Sequence, residues 1–408
     1  MTENVEEKKE EERWVSPLKS PNINKEKKLV TAIGGDGIGP LVVDATVLIL
    51  NGMNLPGLEI RSMPAGESAI KTHGAAFPPE TKASIDESDA ILFGATEESA
   101  LQVIAYLRWG LGNYANIRPI KYYPGMYTVM KDELVQKVNY TFVREGTEGM
   151  YAAAGKEGKV RELAKKRIVT PADVEKWGED AVYAMRIVSK KATDRIGRVA
   201  CEICTKRKEQ GIGKGLLEIV CKPNVLRTQD RMFIDRITKI ANTEFPDLKV
   251  ETYIVDDFAR RLLRYPDYHD TIVIENMMGD ILSDESAEVV GGLGVAGSGV
   301  YGPKAAYFEP THGSAPEVLK RKNYKGDPVP NPIATVIAAA MMLDYLGYEA
   351  QAVKLEQAVV NTLKGGLDIE ENWKGLPRDS VPESYRKEGK FGSTTDVAQK
   401  VLEEYNKL

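Results

Sequence analysis

The chain has 408 residues, 42% of them hydrophobic and 28% charged, which suits an enzyme-sized globular protein of two or three domains. A formal net charge of -5 gives no electrostatic reason to bind nucleic acid or an anionic membrane. Its longest apolar stretch, IATVIAAAMML from Ile333, is too short to span a bilayer, and three cysteines are too few for a disulfide framework.

Residues 1 to 28 read as a charged, disordered tail. The run MTENVEEKKEEERW lacks the apolar core of a secretory signal, so a cytoplasmic location is expected. KLVTAIGG then reads as a strand and PLVVDATVLILNGM as a helix. The turn between them, GGDGIGP, does not fit G-x-G-x-x-G because position 40 is proline, and no Gly-Lys-Ser/Thr follows. A plain turn and a close backbone approach to a ligand both fit its spacing. DAILFGA is a second strand and YTFVRE a third. Between them LRWGLGNYANIRP carries Arg108 and Arg118, and FVREGTEGMY carries Arg144 and Tyr151. Arginine grips a carboxylate through two parallel hydrogen bonds, so three arginines near element ends suit a polycarboxylate, although surface arginines are common.

The Lys-, Arg- and Glu-rich stretch from Ala153 to about Gly215 reads as an elaborated helical or arm region. Within it Cys201 and Cys204 form C-x-x-C. Zinc would need two more ligands, and His73, His269 and His312 are the only histidines, so two reduced thiols on a helix are expected. GLLEIVCK is a strand that ends at Lys222, either a solvated lysine or a base of depressed pKa. RMFIDRITKIANTE is helical, and KVETYIVDD is a strand with Asp256 at its end. After the strand DTIVIEN come Asp280 and Asp284, four apart. On a helix they share a face and repel by a few tenths of a kcal/mol. Either both are solvated, or something positive lies between them. AAYFEP is a strand, NPIATVIAAAMMLDYLG a helix, and 372 to 390 a loop by composition. The alternation of strands and helices predicts an α/β fold with much parallel sheet. Three carboxylates on element ends make a hard oxygen site for Mg²⁺ or Mn²⁺. Together with the arginines, Lys222 and Tyr151, they suit a 2-hydroxy diacid.

Taken in order from about residue 29 to 350, GGDGIGP, LRWGLGNYANIRPIKYYPG, VREGTEGMY, KPNVL, VDDFARRL, ENMMGDILSD, GGLGVAGSG, FEPTHGSAPE and NPIATVIAAAMML closely resemble the metal-dependent β-decarboxylating dehydrogenases of the isocitrate/isopropylmalate dehydrogenase family. VREGTEG looks most like the isopropylmalate branch. The resemblance implies a two-domain α/β fold that is not a Rossmann fold. Domain 1, residues 29–113 plus 291–408, would bind NAD. Domain 2, residues 114–290, would carry metal ligands, dimer interface and arm. It implies a homodimer with shared active sites, possible higher oligomers, and a small 2-hydroxy di- or tricarboxylate substrate. Arg108, Arg118 and Arg144 would hold substrate carboxylates. Asp256, Asp280 and Asp284 would hold Mg²⁺ or Mn²⁺, one of them from the other subunit. Lys222 and Tyr151 would transfer protons, and His312, Gly313, Glu317 and Asn331 would line the cofactor site. The implied reaction is NAD-dependent oxidative decarboxylation of a 3-substituted malate. 3-Isopropylmalate, converted to 4-methyl-2-oxopentanoate and CO₂ in leucine biosynthesis, comes first, because Ile104, Ala105 and Leu101 give Arg108's helix face an apolar character. Isocitrate or homoisocitrate is the alternative. A non-catalytic regulatory subunit is disfavoured because every catalytic and metal position is filled. Pro223, the form ENMMGD and the long 153–215 segment depart from the usual pattern.

Overall fold

A computed structural model describes residues 14–152 and 157–408. Twelve strands form in chain order: β1 (Lys28–Gly35), β2 (Leu58–Met63), β3 (Ala90–Ala95), β4 (Ala115–Lys121), β5 (Asn139–Glu145), β6 (Glu157–Lys159), β7 (Val182–Ala184), β8 (Leu216–Cys221), β9 (Lys249–Ile254), β10 (Thr271–Ile274), β11 (Gly297–Tyr301) and β12 (Ala306–Pro310). Ten build one sheet in the order β2-β1-β3-β12-β11-β4-β5-β10-β8-β9, while β6 and β7 pair separately. The outer quartets, β2-β1-β3-β12 and β5-β10-β8-β9, are parallel. The centre is antiparallel, where β11 and β4 join them. β3, β8 and β10 are buried at every residue. That is why they read as continuous apolar runs rather than alternating ones: helices cover both faces.

Helices Gly39–Gly52, Ile333–Tyr345, Glu349–Lys364 and Thr394–Lys407 pack about the β1-β3-β12 side, and Lys190–Glu209 with Arg227–Glu244 about the β5-β10-β8 side. Asn276–Val290 lies over β4 and β5. Among the described residues no helix is long and apolar enough to cross a membrane.

Several expectations need correction. Residues 1–13 of the expected disordered tail lie outside the described residues, but 14–27 are docked. Trp14 Nε1 donates to Glu202 at 2.8 Å, beside the Ser16 hydroxyl on the same carboxylate. Lys19 reaches Asp344 and Glu349, and Asn22 and Lys25 reach Asp89. The reason is that the charge run stops before Trp14, and Trp14 and Leu18 pack against the main core. Asp256 is not at a strand end: β9 stops at Ile254, and Asp256 opens helix Val255–Arg264, where a carboxylate faces the positive end of the helix dipole. The 372–390 loop contains short helical turns, among them Arg378–Ser380 and Glu383–Lys387. Strands β2, β4 and β11 escaped the sequence pattern. β4 carries Arg118 and Pro119, and β11 is glycine-rich, so pairing with neighbours rather than propensity makes them strands.

Past residues 153–156, which lie outside the described residues, the arm region contains β6, helices Val160–Lys165 and Pro171–Trp177, β7 and the long helix Lys190–Glu209. Cys201 and Cys204 are free, buried thiols on that helix, and burial pushes both up to about 12. They are packing groups rather than nucleophiles.

Trp14→Ala removes ring packing and one hydrogen bond, and should cost about 1–2 kcal/mol of stability. Chemical denaturation measures it. An unchanged midpoint would show that the segment is not docked in solution.

Candidate active site

Residues paired across neighbouring strands project to the same face of a sheet, as do residues two apart in one strand. Tyr307 on β12 pairs with Val300, Val300 with Asn116 on β4, and Asn116 with Arg144 on β5. One face at the sheet's centre therefore carries Tyr307, Glu309, Asn116, Arg118 and Arg144. Helix Asn276–Val290 crosses this face and answers it with a stripe at helical spacing: Asn276, Asp280, Ser283 and Asp284.

The two sets interlock. Arg144 donates from Nε to Asn276 Oδ1 at 3.0 Å and from Nη2 to the same oxygen at 2.6 Å, and its Nη1 pairs with Asp280. Arg118 reaches Asp280 at 3.1 Å, Ser283 Oγ at 2.7 Å and Asp284 at 3.1 Å. The Tyr151 hydroxyl donates to the other oxygen of Asp280 at 2.9 Å. Something positive does lie between the aspartates, and in this conformation it is Arg118.

Burial and the nearby Arg118 lower Arg144 to about 10, with Asp280 opposing. Burial works against the charge on Asp280 too, but Arg144, Arg118 and the Tyr151 hydroxyl outweigh it and hold the carboxyl below its ordinary value. Asp284 is raised, because burial outweighs its single arginine contact. Burial and Asp280 raise Tyr151, so it keeps its proton at neutral pH.

Arg108 sits on a single π-helical turn, Tyr106–Gly110, that continues helix Leu101–Ala105. Such turns recur at functional sites. Its charge couples to Tyr307, Glu309 and Asp280, and its Nε is buried without a hydrogen-bond partner. Ile104 on the same element is half-buried against the cluster containing Leu107 and Tyr307.

Lys222 and Asp256 form a separate pair. No bond joins it to Asp280 or Asp284, and among the described residues no three metal-ligating side chains converge. The donor set nevertheless fits a divalent cation. Asp280 and Asp284 are two hard carboxylates one turn apart, Mg²⁺ is commonly bound through one or two carboxylates plus substrate and water, and Asp284 is a carboxylate whose burial its own neighbours do not offset.

A cavity of about 630 Å³ lies at the C-terminal end of helix Asn276–Val290, lined by Gly291, Gly294, His312, Asn331, Arg321 and Arg378 among others. Its size is that of an ordinary ligand site. His312 Nε2 is buried without a partner, an orphaned polar atom that a cofactor would satisfy. Asn331 donates to Asp379 at 3.2 Å. Gly313 and Glu317 do not line this cavity. A Cβ at Gly313 would meet nothing, and Glu317 is exposed and paired with Lys320.

Sequence reasoning missed Asn276 and Ser283, although their spacing from Asp280 and Asp284 marks them as one stripe. It also missed Arg321, Arg378 and Arg386, which line the cavity. Burial and the other two arginines lower Arg378. Two of the three lie in the stretch read as a loop, where no periodicity could single them out.

A sequence profile of the isocitrate/isopropylmalate dehydrogenase family matches residues 29–374. The chain is 38% identical over 338 residues to a 3-isopropylmalate/3-methylmalate dehydrogenase of Methanocaldococcus jannaschii, covering 83% of this chain and 92% of that one. It is 37% identical over 343 residues to an isocitrate/homoisocitrate dehydrogenase of Thermus thermophilus, covering 83% and 91%. The crystal structure of isocitrate dehydrogenase from Methylococcus capsulatus matches with a TM-score of 0.74 at 28% identity, over 93% of this chain and 99% of that one.

Because the folded pKa of Asp280 is depressed, its pairing contributes stability above the unfolded value, and that contribution is lost as pH falls through the folded one. Asp280→Asn should cost about 2 kcal/mol at neutral pH, less than for a fully buried pair. The gap to wild type should close below the ordinary aspartate value of 3.8. Urea titrations across the acid range measure this, and a constant gap would contradict the pairing.

Proposed function

The chain belongs to the isocitrate/isopropylmalate dehydrogenase family, and on that premise we propose that it oxidatively decarboxylates 3-isopropylmalate with NAD and a divalent cation, as a homodimer. The observation that carries this reading is the pair of buried arginines, Arg118 and Arg144, facing Asp280, Asp284 and Tyr151 on one sheet face. Guanidiniums present planar pairs of donors that match carboxylates, and here two of them share one sheet face with two carboxylates and a protonated phenol.

Substrate carboxylates would replace Asp280 and Asp284 as the arginines' partners, and Arg108 would offer its unpartnered Nε. His312 and Asn331 would hold a dinucleotide that, when bound, would supply a hydride acceptor for C2, and Asp280 and Asp284 would hold a cation that would supply stabilisation of charge on the C2 oxygen. Lys222, held by Asp256, would take the C2 hydroxyl proton as the hydride leaves C2, and the carboxylate on C3 of the resulting ketone would then leave as CO₂. Tyr151 keeps its proton at neutral pH and would deliver it to C3. Within one chain the Lys222–Asp256 pair is bonded apart from Asp280, so this reading takes that pair, with Asp256 as the third carboxylate, from a second copy. It also takes residues 29–113 with 291–408, and 114–290, as two bodies that close on the ligands. β11 and β4 form the only strand pairing between these two stretches in the ten-stranded sheet, which supports a hinge there.

His312 and Asn331 would hold the dinucleotide in their cavity, and Arg321 and Arg378 would supply cations for its phosphates. Glu317 lies in sequence between Ala315 and Val318, which line that cavity, and its carboxylate would disfavour a 2′-phosphate. For the substituent on C3, Ile104 offers an apolar contact, while its neighbours on the helix, Leu101 and Gln102, are exposed.

Burying an isopropyl group against Ile104 gains on the order of 2 kcal/mol, so kcat/KM for 3-isopropylmalate should exceed that for isocitrate by about thirtyfold, and Ile104→Ser should narrow the gap. A panel of 3-substituted malates assayed with NAD tests this, with EDTA expected to abolish turnover and Mn²⁺ to restore it. Equal turnover of isocitrate would remove Ile104 as the selector, and full activity in EDTA would remove the cation. For the cofactor, NAD should be preferred over NADP by about tenfold, and Arg378→Ala should weaken NADH binding by about tenfold in a fluorescence titration. Unchanged binding in that variant would place the phosphates elsewhere.

A further inference from the structure

Asp36, in the turn GGDGIGP, is a carboxylate outside the groups considered so far. It is 4% exposed and has no cationic partner. Four neutral donors satisfy it instead. Oδ1 accepts from Glu67 N at 2.9 Å and from the Ser99 hydroxyl. Oδ2 accepts from Glu97 N and Ala100 N, each at 3.0 Å. Burial raises its pKa, but these four bonds more than offset that and hold the carboxyl below its ordinary value.

The donors show what the carboxylate organises. Three belong to the turn 97–100, which runs without a break into helix Leu101–Ala105 and the π-turn Tyr106–Gly110. That element carries Ile104 and Arg108. The backbone on the other side of Asp36 belongs to the cofactor side: Ile38 N donates to Ser314 O at 2.9 Å, and Ile38 lines the cavity with His312. A Cβ on Gly37, whose φ is +59°, would fall 2.1 Å from Ser314 O. A Cβ on Gly66 would fall 2.2 Å from Asp36 Oδ1. Both close approaches require glycine: the first holds the loop against Ser314 of the cavity side, and the second lets residue 66 close on the Asp36 carboxylate.

We propose that Asp36 is a positioning residue: it ties the 97–110 element, with its substrate arginine and specificity side chain, to the wall of the dinucleotide cavity, so that each ligand's binding organises the other's site. The proposal rests on the assignment of substrate and dinucleotide made above. It assigns Asp36 no contact with either ligand.

The test is Asp36→Asn, with Ser99→Ala as a milder variant and Asp89→Asn as a control. The asparagine keeps the shape but turns an N–H toward two of the four donors. Ser99→Ala removes one bond alone. Asp89 is an equally buried carboxylate at the opposite end of β1, accepting from Leu29 N at 2.9 Å, and touches no ligand element. In Asp36→Asn the KM for substrate should rise by about tenfold or more with kcat changed less than about threefold, and the tightening of NADH binding by substrate should disappear. Ser99→Ala should shift both in the same direction by less. Asp89→Asn should lower the melting temperature without moving either. Unchanged KM and unchanged ligand coupling in a folded Asp36→Asn would overturn the proposal, as would an equal KM shift in Asp89→Asn. If wild type itself binds neither a 3-substituted malate nor NADH, the functional reading fails instead, which is a separate result.

Discussion

The rest of the molecule is arranged around two guanidiniums buried at the middle of a sheet. Removing Arg118 and Arg144 from water is unfavourable unless each is matched by charge and hydrogen bonds. Most of the match comes from helix Asn276–Val290, whose polar stripe lies over strands β4 and β5, with Asn116 of β4 accepting from Arg118 Nε at 3.3 Å. Asn276 saturates two donors of Arg144, and Asp280 takes both arginines. The helix must therefore cross the sheet at one height and one rotation, which also presents Asp284 and brings Tyr151 to Asp280.

The same constraint makes the site responsive. The carboxylates that hold the arginines are acceptors of the same kind as a polycarboxylate ligand, so an incoming ligand can exchange with them without leaving a guanidinium bare. Arg108 differs. It comes from the other part of the chain, on a π-turn, with a donor buried and unmet. A ligand that satisfied all three arginines would bridge the β12 and β5 sides of the sheet across its antiparallel centre. The cavity around His312 gathers three arginines of its own, Arg321, Arg378 and Arg386.

Much of this was legible in the residues. The buried parallel strands β1, β3, β8 and β10 announce themselves as continuous apolar runs, because both faces are covered. Asp280 and Asp284 stand out because like charges at that spacing need an explanation. Arg108, Arg118, Arg144 and Tyr151 were singled out by residue type and by family motif. The four mostly lack a sequence signal for what they bond to: hydrogen-bond partners such as Asn276 on Arg144 are 132 positions apart in the chain.

By itself, then, the sequence determined the α/β class, the family, the buried strands and the identity of most charged groups in the site. These follow from local periodicity and from residue chemistry, which a chain carries with it in any conformation. Only the tertiary structure decided that Arg118 separates the two aspartates, that β4 and β11 are strands at all, that residues 14–27 are docked rather than loose, and that Arg321 and Arg378 face the same cavity as His312. Each of these depends on pairing between distant segments, where burial and register outweigh local preference, and neither is encoded at any one position of the chain.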